Sequence, residues 1–162
     1  MDRYLLDTNF WITASNYYPE DVFPSFWQEI QNLLGSGLIV LHETVFEEIK
    51  RQRDTVTEWL EGVSNLEVLR ASERTLYKYI EMCEWVEKPE QRYYKHAIDE
   101  FKDNSRADAW ICAEAAVSDL VLVTNETKKM SPSKVKIPNV CEAFGVAYIS
   151  NLDFMRAMAF RF

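Results

Sequence analysis

The chain alternates short, largely apolar runs with longer stretches in which apolar positions recur at helical spacing. The apolar runs are RYLLD at 3–7, LIVL at 38–41, LEVL at 66–69, LVLVT at 120–124 and AYI at 147–149. Runs of this length, rich in Leu, Val and Ile, predict strands, and their unbroken hydrophobicity predicts strands covered on both faces. Between them the spacing predicts helices over 24–34, 44–53, 55–62, 73–87, 90–101, 105–117, 139–144 and from Asn151 onward. Gly35-Ser36-Gly37 and Gly62 stop two of these helices, and Pro89 separates another two. Strand-helix alternation of this kind predicts an α/β protein, a three-layer α/β/α sandwich with a central parallel sheet. In such sheets ligands meet the chain at the carboxyl ends of the strands.

Composition adds bounds. With 162 residues, 4 glycines and 5 prolines there is no interdomain linker, so residues 1–162 are expected to form a single domain. Hydrophobic residues make up 48% and aromatics 14%, enough for a substantial core. No uncharged apolar segment reaches the roughly 18 residues that a membrane span needs. The opening MDRYLLDTNFW lacks the pattern of a secretory leader. Cys83, Cys112 and Cys141 form no CxxC pair, and His42 and His96 are isolated in sequence. The cysteines read as buried, reduced residues of a cytoplasmic protein, and a cysteine zinc site is not expected. The formal net charge of −8 argues against gripping long duplex nucleic acid by charge alone. It is compatible with clustered carboxylates that take a divalent cation, and with a basic protein partner.

The acids at the strand ends are the candidate chemistry. Asp7 follows YLL directly, where it is either a helix cap or a metal ligand, with the oxygen donors Thr8 and Asn9 beside it. In the 44–53 helix, Val45, Phe46 and Ile49 define the apolar face. Glu47 points away from that face and stands at capping-box spacing from Thr44, whereas Glu48 flanks it and can reach inward. Asp108 shares a face with Ile111, Cys112 and Ala115, where a carboxylate needs a cation, a hydrogen bond or a proton. Its alternative is a capping box with Ser105. Glu126 lies just beyond LVLVT, either a solvated loop acid ahead of Lys128 and Lys129 or a fourth member of the cluster. Together the four acids converge on one edge of the sheet. Since only oxygen ligands are offered, Mg²⁺ or Mn²⁺ is the expected ion.

The segments YLLDTN at 4–9, VFEEIK at 45–50, ADAWICAEA at 107–115, LVTNE at 122–126 and VKIPNVCEAFGVAYI at 135–149 resemble the PIN domain of VapC-type toxins and RNA-processing nucleases. The resemblance spans nearly the whole chain. It places the family's first three acids on Asp7, Glu48 and Asp108, and its fourth, usually Asp, on Glu126. Thr124 takes the place of the family's strand-end hydroxyl, and Asn9 that of a helper beside the first acid. The resemblance implies Mg²⁺- or Mn²⁺-dependent hydrolysis of RNA to 5′-phosphate and 3′-hydroxyl ends. For a toxin it also implies a cognate antitoxin that places a basic residue or a segment in the acidic cleft.

Other features carry two readings. Arg106 is a contact for the scissile phosphate or a helix-surface charge. Tyr93-Tyr94-Lys95-His96 is a stacking platform for unpaired RNA or a core helix with solvated edges. Lys128, Lys129, Lys134 and Lys136 guide an RNA backbone or form a solvated loop. Trp59, Trp85 and Trp110 read as core anchors. The aromatic middle helices make a homodimer an expectation. A dinucleotide-binding fold would want glycines after the first strand, and DTNFW has none. An aspartyl phosphatase would want Asp where Asn9 stands. The remaining alternative is a non-catalytic PIN-like interaction protein in which Glu126 has weakened metal binding.

Overall fold

The computed structural model describes residues 1–162, apart from the side chain of Asp54. Five parallel strands form the centre: β1 (Tyr4–Leu6), β2 (Ile39–His42), β3 (Val68–Leu69), β4 (Val121–Val123) and β5 (Tyr148–Ile149). They lie in the order β3-β2-β1-β4-β5. Tyr4 pairs with Ile39 on one side and Val121 on the other, and Leu122 pairs with Tyr148.

Helices fill the connections: α1 (Thr8–Tyr17) and α2 (Pro24–Gly35) between β1 and β2, then α3 (Glu43–Gln52) and α4 (Asp54–Glu61) before β3. The excursion from β3 to β4 carries α5 (Glu73–Glu87), a 3₁₀ turn (Pro89–Gln91), α6 (Lys95–Lys102) and α7 (Asp108–Ser118). The chain closes with α8 (Ile137–Phe144) before β5, and α9 (Asn151–Ala157) after it. The first two crossovers step one way across the sheet and the last two step the other way. Right-handed crossovers in opposite directions put their helices on opposite faces, giving the three-layer α/β/α arrangement read from the sequence. Leu5, Leu6, Val40, Leu41, Leu122 and Val123 are wholly buried as a result. No described helix is long and apolar enough to cross a membrane.

Local chemistry explains the boundaries. Pro24 opens α2, where its missing N–H costs nothing. At the start of α5 the Ser72 amide donates to the Thr75 hydroxyl and the Thr75 amide to the Ser72 hydroxyl, each at 3.2 Å. α8 ends on Gly145 in the left-handed region at φ 68°. A methyl group there meets nothing within 4 Å, so the cost of Gly145→Ala is backbone strain alone. Urea unfolding is expected to show a loss of about 1 kcal/mol.

Three expectations are corrected. The segment 8–17, not assigned to any element from its pattern, is helix α1 and buries Phe10, Trp11 and Ala14. Its apolar residues mix with Thr8, Asn9, Thr13 and Asn16, so no clean stripe marks it. The helix expected over 90–101 divides into the 3₁₀ turn and α6, with Arg92 at φ 60° between them. The helix expected from Ser105 starts at Asp108.

Candidate functional site

β1 and β4 are neighbours at the centre of the sheet, and their connections leave in opposite directions. This switch point opens a crevice beyond the two carboxyl ends. Asp7 follows β1 and Thr124 follows β4, so both enter the crevice. Asp7 is 2% exposed. Its amide donates to the Val123 carbonyl at 3.0 Å, and its Oδ2 accepts the Thr124 hydroxyl at 3.1 Å. Although it stands at the N-cap of α1, its side chain makes no capping hydrogen bond. Burial, then the charges of Asp108 and Glu126, raise its pKa to about 7.

Asp108 is the first residue of α7. Burial and the Glu126 charge raise its pKa to about 6, Lys134 opposes this, and Glu48 adds to it. The capping box with Ser105 does not form: the Ser105 hydroxyl donates to Asp103 at 2.7 Å, and the cap position is Ala107. Glu48 is half-buried on α3, and its Oε1 accepts the Ala107 amide at 2.5 Å. It thereby ties α3 to the start of α7. Glu47 is exposed and pairs with Lys50 at 3.3 Å. The Thr44–Glu47 box is also absent, because α3 starts at Glu43 and the His42 ring accepts the Thr44 amide at 3.3 Å. Glu126 accepts the Ile137 amide at 2.7 Å, where α8 begins, and lies 3.4 Å from the Lys134 ammonium.

The acids thus gather closely enough that their neighbours' charges help to raise the pKa values of Asp7 and Asp108. Among the described residues, however, no three Asp, Glu, His or Cys side chains are gathered as a ready-made metal cage. Glu48 and Glu126 are turned onto backbone amides instead. The donor set still fits a hard divalent cation. It offers carboxylate oxygens alone, and two of them are held in conditions that oppose their charge unless a cation arrives.

The other singled-out residues fall into place around this crevice. Thr124 is 2% exposed and holds the Asp7 carboxylate. Asn9 is exposed at the start of α1. Arg106 is exposed, pairs with Glu100 at 3.0 Å, and lines a small cleft beside Asp108 with Phe101 and Val135. Tyr94 is exposed ahead of α6, while Tyr93 packs edge-on to Trp85. Trp59 and Trp110 pack on Trp27 and Tyr79. Cys83, Cys112 and Cys141 are free and buried, as read from the sequence. A cavity of about 260 Å³ between Trp27 and Trp59 contains none of the four acids.

One buried polar cluster behind the crevice was not marked in the sequence. Glu114 of α7 is 5% exposed and accepts the hydroxyls of Thr75 at 2.8 Å and Ser118 at 2.6 Å. His42, wholly buried at the end of β2, places Nε2 3.7 Å from the same carboxylate. Burial would raise the Glu114 pKa, but the nearby His42 ring and the hydrogen bonds from Ser118 and Thr75 outweigh it, and the net shift is downward. The cluster joins α5 and α7 to the β2–α3 junction, so it fixes the helices that carry Glu48 and Asp108. The signal was present in the lone His42 at a strand end and in an acid inside the apolar α7, but nothing local paired them.

The sequence matches the family described as "Domain of unknown function (DUF4411)" over residues 4–162. No curated protein matches it. Among solved structures it is similar to a chain of VapBC2 from Rickettsia felis, bound to a DNA fragment from their promoter. That match has TM-score 0.58 and 18% identity, covering 91% of this chain and 97% of the other. It is also similar to a chain of DNA-bound VapBC from Salmonella typhimurium, with TM-score 0.54 and 20% identity, covering 93% and 98%.

Proposed function

The chain belongs to the DUF4411 family and has a PIN-like α/β fold, and from this premise we propose that it is a metal-dependent endoribonuclease. In this reading it hydrolyses RNA phosphodiester bonds and is the toxin of a toxin–antitoxin pair. The observation that carries the proposal is the placement of Asp7 and Asp108. Two carboxylates from distant parts of the chain face each other at the switch point of a parallel sheet, with Glu48 and Glu126 beside them.

Asp7 and Asp108 would hold Mg²⁺ or Mn²⁺, with Glu48 and Glu126 completing an all-oxygen set. When bound, the ion supplies an activated water and offsets charge on the phosphate. The protein's own work is positioning. Thr124 fixes the Asp7 carboxylate through its hydroxyl, and Glu48 joins α3 to the turn that presents Asp108. Arg106 and Asn9 stand at the exposed rim, where an RNA backbone enters. The VapBC structures support a protein partner as well. A cognate antitoxin with a basic residue aimed at the acids suits a chain of net charge −8.

The orientation of Glu126 favours a second reading. Its carboxylate caps α8 and pairs with Lys134, as in an interaction protein that no longer binds metal. Mn²⁺ titration separates the two. A nuclease binds Mn²⁺ saturably, loses this in Asp108→Asn by about 100-fold or more, and cuts a panel of structured RNAs only until a chelator is added. Cleavage that persists without metal, or equally in Asp108→Asn, would remove the proposal.

A further inference from the structure

The loop from β4 to α8 crosses the acidic crevice, and one of its lysines is set apart from the rest. Lys128 pairs with Glu142, away from the four acids. The Lys134 ammonium instead lies 3.4 Å from Glu126 Oε1, and this is the only ion pair that any of the four acids makes among the described residues. Glu126 is 12% exposed at this pair and Lys134 39%, so the contact is sheltered on its acidic side. Lys134 is also held in place. The Pro132 carbonyl accepts the Tyr94 amide at 2.8 Å, and the next residue, Val135, is 4% exposed. The charge of Asp108 reaches Lys134 too. Burial works to lower the lysine's pKa, but Glu126, Asp108 and Glu100 outweigh it and the net shift is upward.

We propose that Lys134 is the resident counter-ion of the acidic crevice, seated where it offsets the acids' charge in the metal-free chain and displaced when a divalent cation enters. This rests on the metal-site reading of the four acids and adds to it a competing ligand supplied by the protein itself. The physical reason is that clustered buried carboxylates repel one another whenever they are ionised, and a nearby cation offsets that repulsion. A tethered ammonium meets that need weakly and reversibly, and a divalent ion meets it better. Lys134 therefore sets the cation concentration at which the site fills.

The test compares the full-length chain with Lys134→Met, which keeps the aliphatic stem and removes the charge. Lys128→Met, which removes a charge from the same loop outside the crevice, is the control. Calorimetric titration with Mn²⁺ at fixed ionic strength is expected to give roughly three- to tenfold tighter binding for Lys134→Met. Lys128→Met is expected to bind as the parent does. Equal gains in both variants, or no gain in Lys134→Met, would overturn the proposal.

A metal-free arm keeps this outcome separate from failure of the nuclease reading. The thermal midpoint of Lys134→Met is expected to fall in chelator, and Glu126→Gln in the same chain is expected to cancel most of that fall. If the parent binds no Mn²⁺, the metal reading of the crevice fails. The pairing is then decided by this cycle alone, and a fall that Glu126→Gln leaves untouched overturns it.

Discussion

Asp7→Asn is expected to lower RNA cleavage on the order of 10²–10³-fold while making the metal-free chain more stable. The two effects share one cause. Asp7 is buried, and burial together with Asp108 and Glu126 raises its pKa to about 7, whereas the unfolded carboxyl ionises near the ordinary value of 3.8. Between those pH values the folded chain holds a proton that the unfolded chain has released, so stability falls as pH rises through the window. Above pH 7 the penalty is on the order of 2 to 4 kcal/mol, and a neutral amide removes it. The amide oxygen can still accept the Thr124 hydroxyl. Thermal melts in chelator are therefore expected to show little difference at pH 4 and a higher midpoint for the variant at pH 8. Added Mn²⁺ should raise the midpoint of the parent only. A variant that is less stable than the parent at pH 8 would mean that Asp7 is a structural acid.

Glu114→Ala is expected to have the largest effect on folding, a loss of about 3 to 5 kcal/mol. Truncation strips Thr75 and Ser118 of their acceptor and leaves His42 buried beside an empty space. Because the net shift of the Glu114 pKa is downward, its contribution is present above the unfolded carboxyl range and fades as acid protonates it. Urea unfolding of parent and variant at pH 7 measures the loss, and the gap should narrow below about pH 4. Glu114→Gln keeps one acceptor for the hydroxyls and should recover part of it. A loss under about 1 kcal/mol for the alanine variant would show that the cluster is not coupled.

The strands were legible because each is a continuous apolar run, and the sheet's two-sided burial writes that pattern directly into Leu5, Val40 and Leu122. The helices with a clean stripe were legible for the same reason, and α5 has the expected bounds of 73 and 87. Helix α1 was not, because Thr8, Asn9, Thr13 and Asn16 are interleaved with its apolar residues and the apolar Tyr17 stands exposed. Neither capping box that the spacing offered forms, because spacing alone cannot say where a helix begins. His42 and Ala107 hold the cap positions that the spacing offered to Thr44 and Ser105. In the crevice, the placement of Asp7 and Asp108 followed from strand ends and helix faces. The partners of Glu48 and Glu126 did not, since both are backbone amides, 59 and 11 positions away, that no side-chain pattern marks. The same limit hid Glu114 and His42, whose association depends on the packing of α5 against α7.

The strand order has a further consequence for how the protein is made. Thr124 and Asp7 are 117 positions apart, and β4 joins the sheet only after the long excursion through α5, α6 and α7. A nascent chain that has emerged as far as α7 presents Asp7, Glu48 and Asp108 but lacks β4 on one side of β1, the hydroxyl that steadies Asp7, and Glu126. Long-range parallel pairing of this kind closes late. The crevice is thus assembled only after β4 has been translated and docked, and a chain released before that point lacks one of its walls.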